Sequence, residues 1–261
     1  MSKRVSIAVI GKGKVGSSLA ARIVKMRQGY ELFAHLAARA SSFKKLASKN
    51  GPDVIFITSK DDKIVPVAKK ALKFAGKNLH LLIHCAGSRE SIILPGRHSI
   101  SRLTLHPMQT FSEADPVLLE NIYYMASSDD MPANIWAKKF VKDIGGIGVI
   151  KVRGKDLPLY HVLVVFASNF TTLLGGAVEM LSQSLRIPPA TMKKAVAPLM
   201  LQSLENVLQN NAAKVLTGPI ARNDRSTIMK HRKVLRSQPA VLRNIYEGFV
   251  KMTENIGMKN K

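Results

Sequence analysis

Gly11, Gly13 and Gly16 stand in the run Gly11-Lys12-Gly13-Lys14-Val15-Gly16. At that spacing a chain can turn sharply, bring its backbone against a pyrophosphate and pack a helix closely on a strand. The run follows the apolar segment 5–10 (VSIAVI) at once and opens a helical pattern at Val15. Its amides, those of Lys14 and Val15 included, would therefore sit at a helix N-terminus, where peptide dipoles favour negative charge. A glycine turn without a ligand is the bland alternative, and the flanking strand and helix weaken it.

In such a βαβ unit the end of the second strand chooses the cofactor: an acid there holds the ribose hydroxyl of NAD, a cation the 2′-phosphate of NADP. Here the chain reads Ala37-Ala38-Arg39-Ala40-Ser41-Ser42, with no acid between Glu31 and Asp53. Arg39 can pair with a phosphate, with Ser41 and Ser42 as hydroxyl donors, so NADP is expected. The competing reading is a solvated arginine. Ligands in open α/β sheets sit outside the carboxyl ends of strands. That adds Thr58 and Ser59, then His84 and Ser88 of HCAGS, then His106 and Gln109 of HPMQTF. Thr58, Ser59 and His84 are expected at the cofactor, Ser88 and Gln109 at the substrate. For either histidine alone, a structural hydrogen bond is an equal reading.

A second constellation lies downstream. His161 and Asn169 share an apolar helical run, eight residues apart, which places them about 80° apart around the axis and two turns along it. Ser168 falls closer to the face of His161. Hydride transfer to C=O or C=N needs an acid at the heteroatom, which His161 could supply while Asn169 orients the group. His161, Asn169 and His106 are the catalytic candidates; a histidine and an amide satisfied inside a helix interface are the alternative. Thr217-Gly218-Pro219, Arg222 and Asp224 form a turn before a helix. Asp224 can cap that helix, Arg222 offers a fork for a carboxylate or phosphate, and Thr217, Arg222 and Asp224 are expected at the substrate. His84, His106 and His161 lack metal-ligand spacing, so no metal is expected, and no GxSxG elbow supports a serine nucleophile.

These residues need elements to hold them. Seven strand-like runs (5–10, 31–38, 53–57, 79–84, 99–105, 121–127, 148–152) alternate with helical segments at 15–26, 41–47, 61–74 and 132–144, the third with Asp61 as its N-cap. That is the α/β pattern of a mostly parallel sheet. After Gly154 strand-like runs cease and helices are expected at 157–185, 190–209, 226–236 and 240–256. The composition shift divides the chain into an α/β domain, 1–153, and an all-α domain, 154–261, for substrate binding and dimerisation. The stretch 157–181 is long enough to span a bilayer, but His161, Asn169 and Glu179 inside it favour a helix buried at a domain or subunit interface.

Composition sets the class. The chain has 261 residues, 46% of them hydrophobic, and one cysteine, Cys85, so no intramolecular disulfide forms. With no export signal at its start, a cytoplasmic location is expected. Forty lysines and arginines against seventeen acids give a net charge of +23. The cations are scattered over helix surfaces without interleaved aromatics, which argues against nucleic acid.

The segments GKGKVG, HCAGS, HPMQTF, YHVLVVFASN (160–169) and LTGPIARND (216–224) resemble Rossmann-like proteins carrying a C-terminal helical domain of unknown function. Those proteins are relatives of pyrroline-5-carboxylate reductase and the deazaflavin-dependent NADP oxidoreductases. The resemblance covers nearly the whole chain and implies an N-terminal Rossmann NAD(P)-binding domain, a C-terminal all-α domain of 6-phosphogluconate-dehydrogenase-like type, a homodimer and NADP. It supplies no reaction. Asn223 stands where the family pattern has glycine, and asparagine tolerates the left-handed backbone such a turn needs. The expected function is an NADP-dependent oxidoreductase moving a hydride between NADPH and a small, anionic carbonyl or imine substrate. A non-catalytic NADP-binding sensor or scaffold is the second reading.

Overall fold

The computed structural model describes residues 4–26, 28–47, 51–96, 99–112 and 118–255. The seven apolar runs all form strands: β1 (Val5–Ile10), β2 (Tyr30–Leu36), β3 (Val54–Ile57), β4 (Leu81–His84), β5 (Ser101–Pro107), β6 (Tyr123–Ser127) and β7 (Gly148–Lys151). They make one sheet of order β2-β1-β3-β4-β5-β6-β7. β1 to β5 pair in parallel, while β6 runs antiparallel to β5 with Thr104 opposite Ser127. No described helix separates β5 from β6 to return the chain to the starting edge, so β6 comes straight back. The fold is Rossmann-like, followed by helices.

Alternation along the strands fills both faces. Ile7 and Val9 of β1 join Phe56, Leu103 and Phe140 in one core, while Ala8 and Ile10 join Phe43, Ile55 and Ile57 in the other. Strands buried on two sides read as continuous apolar runs, as these do. The covering helices are α1 (Lys14–Lys25), α2 (Ile64–Phe74) and α3 (Met131–Asp143). The segment expected as a helix at 41–47 is a 3₁₀ helix, Ala40–Leu46, with Phe43 and Leu46 fully buried. Asp61 is not an N-cap: the extended backbone that precedes the turn lies one residue earlier, at Lys60, and a 3₁₀ turn, Asp61–Lys63, leads into α2.

From Leu157 the chain is helical: α4 (Leu157–Val165), a π-turn (Phe166–Phe170), α5 (Thr171–Ser184), α6 (Pro189–Gln209), α7 (Ala212–Val215), α8 (Gly218–Ala221), α9 (Arg225–Leu235) and α10 (Ala240–Asn255). The last expected helix ran to Ile256, which lies outside the described residues. Internal contacts divide the chain into 1–169 and 170–261. The composition shift at Gly154 falls earlier because α4 packs on the sheet unit: Leu157 and Tyr160 form a small core with Met125 of β6. Within the second unit Arg232 pairs with Glu247 through two 2.8 Å hydrogen bonds, joining α9 to α10, and Lys193 pairs with Glu179, joining α6 to α5. Asn223 has φ 52°, the left-handed backbone expected of it.

The apolar stretch is left largely unburied by the chain's own residues. The helical run 154–184, with mean hydropathy 1.5, is long and apolar enough to cross a membrane, and its most apolar window has no buried residue. Leu159 is 74% exposed. Leu157, Tyr160 and Ser182 near the ends of this run are buried, and the stretch between them is not.

Candidate functional site

The glycine turn is built as a cradle. Gly11 has φ +132°, and a Cβ there would meet the Thr58 carbonyl at 2.7 Å; a Cβ on Gly16 would meet the Gly11 carbonyl at 2.0 Å. Both glycines are thus compelled by packing of α1 on the ends of β1 and β3. Gly13 differs, with nothing within 4 Å of a Cβ. That open space lies at the N-cap of α1, where no side chain caps the helix and the first turn holds no acid. Free amide donors, a positive dipole end and room for a bulky anion fit a pyrophosphate. Val15 is half-buried in the first turn of the helix.

Hydrogen bonds fix the neighbouring loops. The Thr58 hydroxyl lies 3.2 Å from the Ile10 and Gly11 carbonyls, His35 Nε2 is 3.0 Å from the Gly11 carbonyl, and Lys14 Nζ donates to the Ser112 carbonyl at 2.7 Å. Lys14 thereby ties the loop after β5 to the glycine turn. Ser59 Oγ is buried without a partner among the described residues, an orphan that a ligand at this edge would satisfy. Arg39 and Ser41 stand exposed after β2, Arg39 with no ion pair among the described residues. These residues fit NADP.

His84, expected at the cofactor, is fully buried and both ring nitrogens are engaged. Nε2 meets the Glu90 carbonyl at 3.1 Å and the Thr104 hydroxyl at 3.2 Å, and Nδ1 accepts from the Ala86 amide at 3.2 Å. Its ring braces the 85–90 turn. Burial lowers its basicity, so it stays neutral there. Burial also pushes the Cys85 thiol up to about 12, which removes it as a nucleophile at neutral pH. Ser88 lies half-buried in the same turn.

The first unit also brings the catalytic candidates together. A cavity of about 320 Å³ is lined by His106, Met108, Gln109 and Thr110 from the end of β5, and by His161, Val164, Val165, Ala167, Ser168 and Asn169. The π-turn Phe166–Phe170 contributes to this convergence. Each of its residues advances less around the axis than an α-helical residue does, which rotates Asn169 back toward His161. His161 Nδ1 is buried with no partner among the described residues. Gln109 Oε1 accepts from the Thr110 amide at 2.8 Å, leaving its NH₂ group for a ligand. A larger cavity, about 580 Å³, opens at the opposite sheet edge beside Arg102, Asp129 and Asp130, away from the ends of the parallel strands.

Tyr160 is the residue that sequence reasoning missed. Its hydroxyl lies 2.8 Å from His106 Nδ1, 54 residues away in the chain. Burial, and secondarily His161, lowers His106 to about 4.

In the second unit, Asp224 caps α9, accepting from the Thr227 amide at 3.0 Å and its hydroxyl at 2.7 Å. Each carboxylate oxygen thus accepts one hydrogen bond, and Asp224 is the cap expected of it. Thr217 precedes α8 and Arg222 follows it, both exposed in the same turn. Among the described residues no cluster of three or more His, Cys, Asp or Glu could hold a metal.

The family described as a domain of unknown function (DUF2520) matches residues 122–253. No functionally curated protein matches the sequence. Among solved structures the chain is similar to BF3122 of Bacteroides fragilis, a candidate NADP oxidoreductase, at 19% identity and TM-score 0.78, over 97% of this chain and 98% of that one. Protein TM1727 from Thermotoga maritima aligns at 20% identity and TM-score 0.70, over 96% and 97%. Plasmodium falciparum pyrroline carboxylate reductase, solved with NADP bound, aligns at 15% identity and TM-score 0.61, over 97% and 98%. At these identities the likeness is one of fold.

Proposed function

The chain belongs to the DUF2520 family, and from that premise we propose that it is an NADP-dependent oxidoreductase acting on a small carbonyl or imine. The observation that carries this reading is the α1 N-terminus: uncapped, free of acid and open at Gly13, at the same sheet edge as a cavity holding two histidines and an amide. Arg39, Ser41 and Ser42 would hold the 2′-phosphate, Gly13 to Gly16 the pyrophosphate, and Thr58 and Ser59 the next part of the dinucleotide. When bound, NADPH supplies a hydride. His161 delivers the proton to the reacting heteroatom, Asn169 orients it, and His106 polarises it. The apolar wall of Met108, Val164 and Val165 keeps water from that atom. The net charge of +23 draws anionic substrates toward the protein. Selective binding of NADPH over NADH, lost in Arg39→Asp, is the test. A non-catalytic cofactor sensor would bind equally well but would not need the His106–His161–Asn169 cavity.

We also propose a homodimer. No residue of α6 is buried, and Leu199, Leu201, Leu204, Val207 and Leu208 along it are between 42 and 77% exposed. A 21-residue helix leaving that much apolar surface in water is the mark of an interface. Sedimentation at micromolar concentration should give a dimer, and Leu204→Glu with Leu208→Glu should give a monomer. A wild-type monomer would contradict the assembly.

A further inference from the structure

His106 is held from two sides. A Cβ on Gly87 would stand 3.2 Å from three atoms of its ring, so the imidazole lies directly against that backbone. Tyr160 meets the ring edge-on, with centroids 5.8 Å apart and planes at 83°. Tyr160 is itself anchored in the core formed with Met125 and Leu157. The ring therefore has one orientation, with Nδ1 committed to the Tyr160 hydroxyl at 2.8 Å.

Proton accounting settles the direction of that bond. If Nδ1–H donated, the hydroxyl proton of the buried Tyr160 would have no acceptor among the described residues. If the hydroxyl donates, it is satisfied, and the ring proton sits on Nε2, which makes no hydrogen bond among the described residues but is not one of the buried unpartnered atoms, so that proton can meet a ligand in the cavity. The charge states agree. His106 is lowered to about 4 by burial and then by His161, with Asp61 opposing the shift. Burial pushes the Tyr160 hydroxyl up to about 12.

We infer that Tyr160 fixes His106 as a neutral Nε2–H donor in the 320 Å³ cavity, so that the substrate's reacting heteroatom is a carbonyl oxygen and not an iminium nitrogen. The inference rests on the reductase reading and narrows it. A carbonyl oxygen has two lone pairs, one to accept from Nε2–H and one for the proton from His161; a neutral imine nitrogen has only one, and an iminium nitrogen has none, so that its own N–H would face that of His106. In the reduction the carbonyl carbon receives the hydride and its electron pair, and the C=O π pair moves onto oxygen. The oxygen takes a proton from His161, giving an alcohol. His106 ends as it began. Tyr160 acts through His106 and is a positioning residue.

Histidine nitrogen NMR on the full chain without cofactor reads the tautomer directly. His106 should show protonated Nε2 and bare Nδ1, unchanged between about pH 5.5 and 8. Tyr160→Phe should populate both tautomers and lower kcat for ketones about 10-fold, with NADPH affinity kept. A protonated Nδ1 in the wild type, or titration of His106 near its ordinary value, would overturn the inference whether or not the variant folds. So would reduction of a cyclic iminium with higher kcat/KM than any ketone or aldehyde tested. The expected tautomer with no NADPH-dependent turnover at all would sink the reductase reading and leave the hold of Tyr160 on His106 intact.

Discussion

Replacing His161 by glutamine lowers kcat for NADPH-dependent reduction by about a hundred- to ten-thousand-fold, the range spanned by loss of a positioned general acid. The glutamine amide can hydrogen-bond but cannot deliver a proton. His161 lines the cavity with His106 and Asn169, and its Nδ1 has no partner among the described residues, so no network collapses when the ring is replaced. NADPH affinity and thermal stability should stay near wild type. Steady-state kinetics with a turned-over ketone, alongside a cofactor titration, separates the outcomes. An unchanged kcat would remove His161 from the chemistry, and a parallel loss of cofactor affinity would make it a structural residue.

The paired substitutions Gly16→Ala and Gly13→Ala separate the two duties of the glycine turn. At Gly16 the added methyl would lie 2.0 Å from the Gly11 carbonyl and 2.4 Å from the Thr58 hydroxyl oxygen. One contact is backbone and the other a side chain held by two hydrogen bonds, so α1 must shift, at a cost of about 3 kcal/mol. At Gly13 the methyl meets nothing within 4 Å, and its φ of −77° suits any residue. Gly13→Ala should melt within about 0.5 kcal/mol of wild type. Its methyl would stand where the pyrophosphate approaches, and NADPH affinity should fall about 100-fold, close to 3 kcal/mol. Thermal melts and titrations on both variants distinguish these effects. If Gly13→Ala bound NADPH normally, the cradle would not be the phosphate site.

Much of the fold was legible because its signals are local. Every strand announced itself as an apolar run, and the three glycines named their own turn by spacing and context. The left-handed turn at Asn223 was expected from the resemblance, whose pattern has glycine there. Residues joined only by the chain's return were not legible. Tyr160 sits beside His161 in an apolar helix and reads as core packing; only the rule that a buried hydroxyl finds a partner hints otherwise. Its partner, His106, lies at the end of β5, and nothing local connects the two. His84 misled for the converse reason: its place at a strand end matched a ligand position, but Glu90 and Thr104 occupy its ring. The angle between His161 and Asn169 was computed for an uninterrupted α-helix, and no residue in FASNF marks the π-turn that changes it.

The central claim is that the sheet edge around Gly13 and Arg39 binds NADPH. Fluorescence titration of the purified chain with NADPH and, separately, NADH tests it, repeated on Arg39→Asp. The account predicts that NADPH binds about 10-fold or more tightly than NADH, and that Arg39→Asp abolishes the preference by weakening NADPH alone, as loss of a charge-assisted phosphate contact would. Failure of both nucleotides to bind at about millimolar concentration, some 4 kcal/mol of affinity, would contradict it and leave the Rossmann-like sheet as a fold without that cofactor.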